Sequence, residues 1–317
     1  MAISCLKLLL LIILSASLLS KLNLMINIAA SMQAYVNAMG LEQVNGNNST
    51  YLPGIHFYRA DKSSSRQPLL YQSGIIIIGQ GRKVIHLGEH AVEYGAGDYL
   101  VIGVPLPLEC EAFVDNDLPI LGLSIDVPAN LLHELVNLLY QQDTFSALCK
   151  QPLECGLKAV NSDHAFQLSC VRLLSALKNQ TEAQVLGPGL IREIVYHVLM
   201  GPQGHTLFGL AQHDGQYARI ARALNRVHKD YSTDLSVDAL ASEVNMSVSA
   251  FHRAFRQVTM ESPVQYLKKV RLQKAKELIH FAGKRANEAA ALVGYASPSQ
   301  FSREFKRHFN HSPGALS

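Results

Sequence analysis

The chain has 317 residues, 48% of them apolar and 17% charged, with a formal net charge of +3. That balance excludes an intrinsically disordered polymer, and the length exceeds what one ordinary core holds, so about two domains are expected. The small net charge hides an asymmetry: residues 216–317 carry 16 Lys and Arg against 8 Asp and Glu, residues 1–215 only 12 against 17. A basic C-terminal third on an acidic remainder points to a module for a polyanion joined to something else.

At the start, Lys7 and the run LLLLIILSASLLS, with small residues at Ser15, Ala16 and Ser17, give residues 1–24 the look of a secretory signal peptide. The run is short for a membrane span, which needs roughly 20 apolar residues. The cysteines disagree with export. Cys5, Cys110, Cys149, Cys155 and Cys170 are odd in number and lack CxxC or Cys/His ligand spacing. Buried, reduced thiols in the cytoplasm are the expectation.

From Leu52 to Val127 short apolar or alternating runs, such as GIIIIGQ (74–80), KVIHL (83–87), DYLVIGV (98–104) and ILGLSIDV (120–127), are broken by turn residues. This spacing predicts a β-sandwich or barrel. After Pro128 the period changes. Leu131, Leu132, Leu135, Leu138 and Leu139 share one helical face, and further helices are expected over 163–180 and, from Pro188, over 188–200. Helices outside a small β-domain suit a homodimer contact. The stretch GLAQHDGQ (209–216) is the expected seam.

The C-terminal region repeats itself at an offset of fifty. SVSAFHRAF (247–255) returns as SPSQFSREF (297–305), with identities Ser247/Ser297, Ser249/Ser299, Phe251/Phe301, Arg253/Arg303, Phe255/Phe305, Ser262/Ser312 and Pro263/Pro313, and upstream Ala239/Ala289 and Ala241/Ala291. Each copy reads as helix, tight turn, helix. Ser236 caps the first helix of the first copy, and Ser247 or Ser249 the second. The i, i+4 pairs Phe251/Phe255 and Phe301/Phe305 point into cores. His252, Arg253 and Arg256 in one copy, and Ser302, Arg303 and Lys306 in the other, then face outward. Such faces suit a DNA major groove, with Arg on guanine and Ser, His or Gln on other base edges or phosphates. Between the copies PVQYLKKVRLQKAKELIH (263–280) reads as a helix with the apolar stripe Val264, Leu267, Val270, Leu272, Ala275, Leu278 and Ile279. Its length of about 27 Å approaches the ~34 Å between successive major-groove faces on one side of DNA.

The stretches LSVDALASEVNMSVSAFHRAF, SPVQYLKKVRLQKAKELI and VGYASPSQFSREFKRHFNHSP resemble the DNA-binding domain of AraC/XylS transcription regulators. LPGI, LYQSGIIIIGQGRKVIHLGEHAVEYGAGDYLVIGVPLP and REIVYHVLMGPQGHTL resemble the cupin-like sensor of one branch of that family. The resemblance implies two helix-turn-helix units on one linker helix, reading adjacent major-groove segments. By position it implies base contacts from Ser249, His252 and Arg253, and from Ser299, Gln300, Ser302 and Arg303. Arg256 and Lys306 fall to phosphate. Asn310 stands where the family has Gly, and Ser317 follows closely on the Ser-Pro that opens the family's last helix.

Other chemistries compete. HLGEH (86–90) spells His-x-x-Glu-His, but Gly88 and its flanks predict strand and turn rather than the helix a zinc peptidase needs. His86, His90 and Glu93 remain as a cupin-type metal set, the basis of an alternative reading as a metalloenzyme with an accessory DNA-binding domain. GQG (79–81) lacks the third Gly of a dinucleotide loop. The expected fold is α+β: a leader (1–24), a cupin-like sensor (25–127), a helical dimerisation and linker region (128–208) and a double helix-turn-helix domain (209–317). The expected function is an effector-responsive activator, not an enzyme and without cofactor. Its expected partners are double-stranded promoter DNA, RNA polymerase, a small-molecule effector and a second copy of the chain. Export is incompatible with that function, so residues 1–24 are expected to be an over-long start, with Met25 or Met32 the beginning, or a membrane anchor.

Overall fold

The computed structural model describes residues 27–87, 90–140, 157–211 and 215–316. The apolar leader, Cys5, Cys149, Cys155 and residues 212–214 of the expected seam lie outside them. Among the described residues no helix is long and apolar enough to cross a membrane.

Two antiparallel sheets face each other. One runs in the order β1 (Gly46–Ser49), β2 (Ile55–Ala60), β9 (Ile120–Ile125), β4 (Gly74–Gln80), β7 (Asp98–Ile102), β10 (Val160–Asn161). The other runs β3 (Ser64–Tyr71), β8 (Leu106–Phe113), β5 (Arg82–Leu87), β6 (His90–Gly95). The period-2 pattern sets the faces. On β5, Lys83 and Ile85 are buried between the sheets while Arg82, Val84 and His86 alternate outward. The first sheet is apolar on both sides. Ile55, Phe57, Ile75, Ile77, Leu123 and Ile125 meet helices, whereas Ile78, Leu100, Ile102 and Ile120 meet the second sheet.

The helix-facing side is covered by α1 (Ile28–Met39), α2 (Ala129–Tyr140), α3 (His164–Ala176), α4 (Gln180–Met200) and α5 (Gly204–Ala211). Helix α1, which precedes the strand-like stretch of 52–127 and is not anticipated within the sensor, starts at an Asn27 cap and lays Met32, Tyr35 and Val36 on the sheet. Gly79 lies beneath it, where a Cβ would collide with Met32. In α2 the buried stripe is Leu132, Leu135 and Val136, and Leu138 is exposed. Helix α4 starts eight residues before Pro188, at an Asn179 cap. The bond that Pro188 cannot donate falls on the exposed Gln184 side, where water can replace it, and Gly187 lets the helix close onto Leu52. Residues 209–211 of the expected seam are the last turn of α5.

Six helices follow: α6 (Gln216–Asp230), α7 (Val237–Glu243), α8 (Val248–Thr259), α9 (Pro263–His280), α10 (Ala286–Leu292) and α11 (Pro298–Phe309), then a 3-10 turn Pro313–Leu316. Helix α9 is shared between two cores. Tyr266 and Val270 pack with Ile220, Leu224, Leu240, Phe251 and Phe255, a cluster continuous with the inter-sheet core of the sandwich. Leu272, Ala275 and Ile279 pack with Ala289, Val293, Phe301, Phe305 and Phe309 in a separate cluster. Val264, predicted in the apolar stripe, is 58% exposed, on the outer side of a first turn whose Pro263 and Tyr266 are buried. The Tyr266 hydroxyl donates to the Pro105 carbonyl at 2.6 Å and accepts from His228 Nε2 at 2.7 Å, tying the α-helical domain to the sandwich.

Candidate nucleic-acid interface

Each unit presents its second helix in the same way. Ser247 Oγ accepts from the Ala250 amide and Ser297 Oγ from the Gln300 amide, both at 3.3 Å, which fixes where α8 and α11 begin. Phe251, Phe255, Phe301 and Phe305 are all fully buried. In each pair the ring centroids lie about 5.5 Å apart, 5.5 Å in the first and 5.4 Å in the second. Met260 and Asn310 end the two helices in the left-handed conformation, φ 60° and 63°. Asn adopts that conformation locally, which accounts for the departure from Gly at 310.

The repeat is not uniform in register. Helices α8 and α11 begin fifty residues apart, but α7 and α10 begin forty-nine apart. The second turn therefore holds one residue more. The bonds Met246 N–H to Ala241 O and Tyr295 N–H to Ala290 O, both 2.9 Å, mark the equivalent turn positions. Ala239/Ala289 and Ala241/Ala291 are consequently not equivalent. Ala239 and Ala291 are exposed, and the matching buried pairs are Leu240/Ala289, Ala241/Ala290 and Val244/Val293. Gly294 takes φ 87° in that turn, and a Cβ there would strike the Ser232 carbonyl.

On α8, Ser249, His252, Arg253 and Arg256 are exposed together; on α11, Ser299, Gln300, Arg303 and Lys306 are. Ser302 is half-buried, closer to the supporting core than expected. None of Arg253, Arg256, Arg303 or Lys306 is held in an ion pair among the described residues, so their charges are free for an external anion.

Sequence reasoning missed several supporting groups. Arg307 is exposed one turn beyond Arg303 and lines a shared pocket with Gln300, Arg303 and Glu304; the i, i+4 spacing was its signal. Glu304 anchors α11. It accepts from Lys268 Nζ of α9 at 2.8 Å, from the Tyr295 hydroxyl at 2.8 Å and from Gln300 Nε2 at 3.4 Å. Burial opposes its charge, but these donors outweigh burial and hold the carboxyl below its usual range. Arg219 donates to the Asn245 carbonyl at 3.2 Å in the first turn, and Arg271 to Tyr231 and Thr233 carbonyls at 2.7 and 2.8 Å beside the second. Only tertiary structure brings these partners together.

Two of the three residues of the metal alternative, His86 and Glu93, are engaged with other side chains. Arg82, Val84 and His86 point out of the sandwich, as does Glu93 opposite Val84. His86 Nε2 lies 3.1 Å from Glu111 Oε1, and Glu93 accepts from Arg82 at 3.2 Å. The side chain of His90 lies outside what the structure describes, and no metal-ligand cluster occurs among the described residues.

Residues 51–206 match the family described as AraC-type transcriptional regulator N-terminus, and residues 240–317 match a helix-turn-helix domain. The chain belongs to the AraC/XylS family. Among relatives of this family, the activator RhaS of Yersinia pestis bv. Antiqua (strain Angola) is 27% identical over 243 residues, 71% of this chain and 84% of its own. The regulator AlkR of Acinetobacter baylyi is 33% identical over 97 residues, 31% of this chain. The chain spans 32% of AlkR and 54% of RhaS from Escherichia coli O1:K1. The solved structure of ToxT from Vibrio cholerae, at 13% identity, superposes over 82% of this chain and 96% of its own with a TM-score of 0.53, which establishes the shared fold.

Proposed function

We propose that this AraC/XylS-family chain is a sequence-specific DNA-binding activator of transcription, reading two adjacent major-groove segments with α8 and α11. The observation that carries the proposal is the pair of unpaired basic faces, each backed by a buried Phe pair and both mounted on α9. Arg253 and Arg303 take guanine edges, Ser249, His252, Ser299 and Gln300 other base edges, and Ser302 lies at the margin. Arg256 and Lys306 take phosphate, joined by Arg307. Its partners are promoter DNA and RNA polymerase, which places it in the cytoplasm. The β-sandwich, as the cupin-like sensor, receives a small effector.

A second copy pairs through α3 and α4. Val185 and Leu186 are exposed on α4 beside a groove that also carries the Arg172–Glu193 ion pair, so a two-fold partner has an apolar surface to bury there. The test is selection of random DNA on the full chain, followed by footprinting. Recovery of a two-part site whose parts lie about one helical turn apart supports the proposal, and recovery of no preferred sequence overturns it.

A further inference from the structure

The two units share their buried rings and outward arginines, yet one polar group of the second has no counterpart in the first. Glu304 on α11 occupies the position that Ala254 holds on α8, where the alanine is 2% exposed. The Glu304 side chain is itself only 17% exposed. Setting a carboxylate in a seat that its copy fills with a methyl group costs desolvation, and packing alone does not require it. Three donors offset that cost: Lys268 Nζ and the Tyr295 hydroxyl, each at 2.8 Å, and Gln300 Nε2 at 3.4 Å. Burial opposes the charge and these donors outweigh it, so the group remains a carboxylate. In the first unit Met246 and Ala250 stand where Tyr295 and Gln300 stand in the second.

The Gln300 contact differs from the other two in where it lies. Lys268 and Tyr295 reach Glu304 from the linker helix and the turn, whereas Gln300 is exposed one helical turn before it, on the face that carries Arg303. A carboxylate only accepts, so it settles which end of the Gln300 amide turns toward it: Nε2 faces Glu304 and Oε1 is left outward. Among the described residues no other group bonds to that amide. What remains for a ligand is one N–H and one carbonyl oxygen, side by side.

The major-groove edge of adenine offers the complement, the N7 acceptor beside the N6 donor. Guanine offers two acceptors, N7 and O6, and a glutamine amide meets both only by giving both hydrogens of Nε2. Glu304 already holds one of them. Thymine and cytosine each present a single polar group there and satisfy half of the amide.

We propose that Glu304 is a positioning residue that makes Gln300 select adenine and reject guanine in the half of the site read by α11. This rests on the reading of α11 as a recognition helix and names one base of its site. With Ala250 and Ala254 in the matching positions, α8 draws no base preference from that part of the helix.

The test is selection of random DNA on the full chain and its variants, with affinities then measured on duplexes that differ at one base pair. In the native site one position of one half should favour adenine over guanine by about ten-fold, and Gln300→Ala should erase that preference. Glu304→Gln replaces a pure acceptor by an amide of nearly the same shape, which no longer dictates the end of Gln300 that faces it. That variant should admit guanine at the same position, lowering the adenine-to-guanine affinity ratio by at least about three-fold, while the base preference that depends on Arg303 stays as in the native chain. Glu304→Ala should do the same, and serves if Glu304→Gln fails to fold. Lys268→Gln cuts the ion pair but leaves the Gln300 contact, so it should keep adenine favoured. Loss of the preference in folded Lys268→Gln would reduce Glu304 to a tie between helices and overturn the proposal, as would a native adenine-to-guanine ratio in folded Glu304→Gln. A two-part site with no adenine at the position relaxed by Gln300→Ala defeats this inference alone, whereas recovery of no preferred sequence from the native chain defeats the regulator reading.

Discussion

In the first helix-turn-helix unit Phe251 and Phe255 pack into a core that runs on through Tyr266 into the β-sandwich. In the second, Phe301 and Phe305 close a core of their own with Leu272, Ala275, Ile279 and Phe309. Contact with the sandwich is thinner there: α9 and α11 meet β3 and β8 around a small cavity lined by Leu70, Leu108, Glu109, Lys269, Gln273 and His308. Two copies of one brick thus have different mechanical attachments. Loosening of the first unit is therefore expected to disturb the β-sandwich more than loosening of the second.

The largest expected effect exploits that difference. Phe255→Ala and Phe305→Ala each remove a buried ring at a cost of about 3–5 kcal/mol. Hydrogen exchange followed residue by residue should show Phe255→Ala lowering protection in both α7–α8 and β8. Phe305→Ala should lower it in α10–α11 and leave β8 as in the native chain. Equal spread in both variants would remove the distinction between the units.

Acid probes both attachments. Burial, first, and then nearby lysines hold His228 and His308 down to about 4 in the folded chain, against 6.5 when unfolded. Both are neutral in the fold, so the unfolded chain binds more protons between these values, and stability present above pH 6.5 is lost as pH falls toward 4. The loss is roughly 2–3 kcal/mol for each group once pH reaches about 4. Thermal melts between pH 7 and 4 should show a Tm decline that His228→Gln and His308→Gln each make shallower. A decline of native steepness in both variants would locate the acid sensitivity elsewhere.

Much of this architecture is legible in the sequence because the period-4 Phe pairs, the serine caps and Pro263 are local signals, each confined to one turn. The strand runs are legible for the same reason, since alternation such as that of β5 spans few residues. What escaped reading depends on distance or on small shifts. Glu304 draws its role from Lys268, thirty-six residues away, and Arg271 from carbonyls forty residues upstream. The extra turn residue at Ala296 was hidden by alanines, which match one another in any register. Pro188 signalled a helix start by its missing N–H, yet the exposed side of α4 tolerates that loss.

Base contacts come next in size. Arg253→Ala and Arg303→Ala should each weaken specific binding by about 1–3 kcal/mol and relax selection at one position, in different halves of the site. Glu304 tethers Gln300 and joins α11 to α9, whereas the first unit has the buried Ala254 at the matching position. Glu304→Gln should therefore broaden selection only in the half read by α11. Quantitative selection on each variant checks this, and relaxation of both halves by Glu304→Gln would show the units to be coupled rather than separable.

The smallest effect concerns charge alone. Lys306 is exposed near the end of α11 without an ion-pair partner among the described residues, as Arg256 is on α8. A phosphate contact releases about one counterion, so removing either side chain should lower the slope of log affinity against log salt by about 1 and weaken all sequences alike. The magnitude is small at moderate salt because each is one contact among several, and it grows as salt is lowered. Lys306→Ala and Arg256→Ala should then be indistinguishable in slope despite the different attachments of their units. A phosphate contact depends on where the helix surface meets the backbone, not on what lies beneath the helix. If the slope changed for Arg256 and not for Lys306, α11 would be sitting off the DNA, and the second unit's separate core would reflect a separate task.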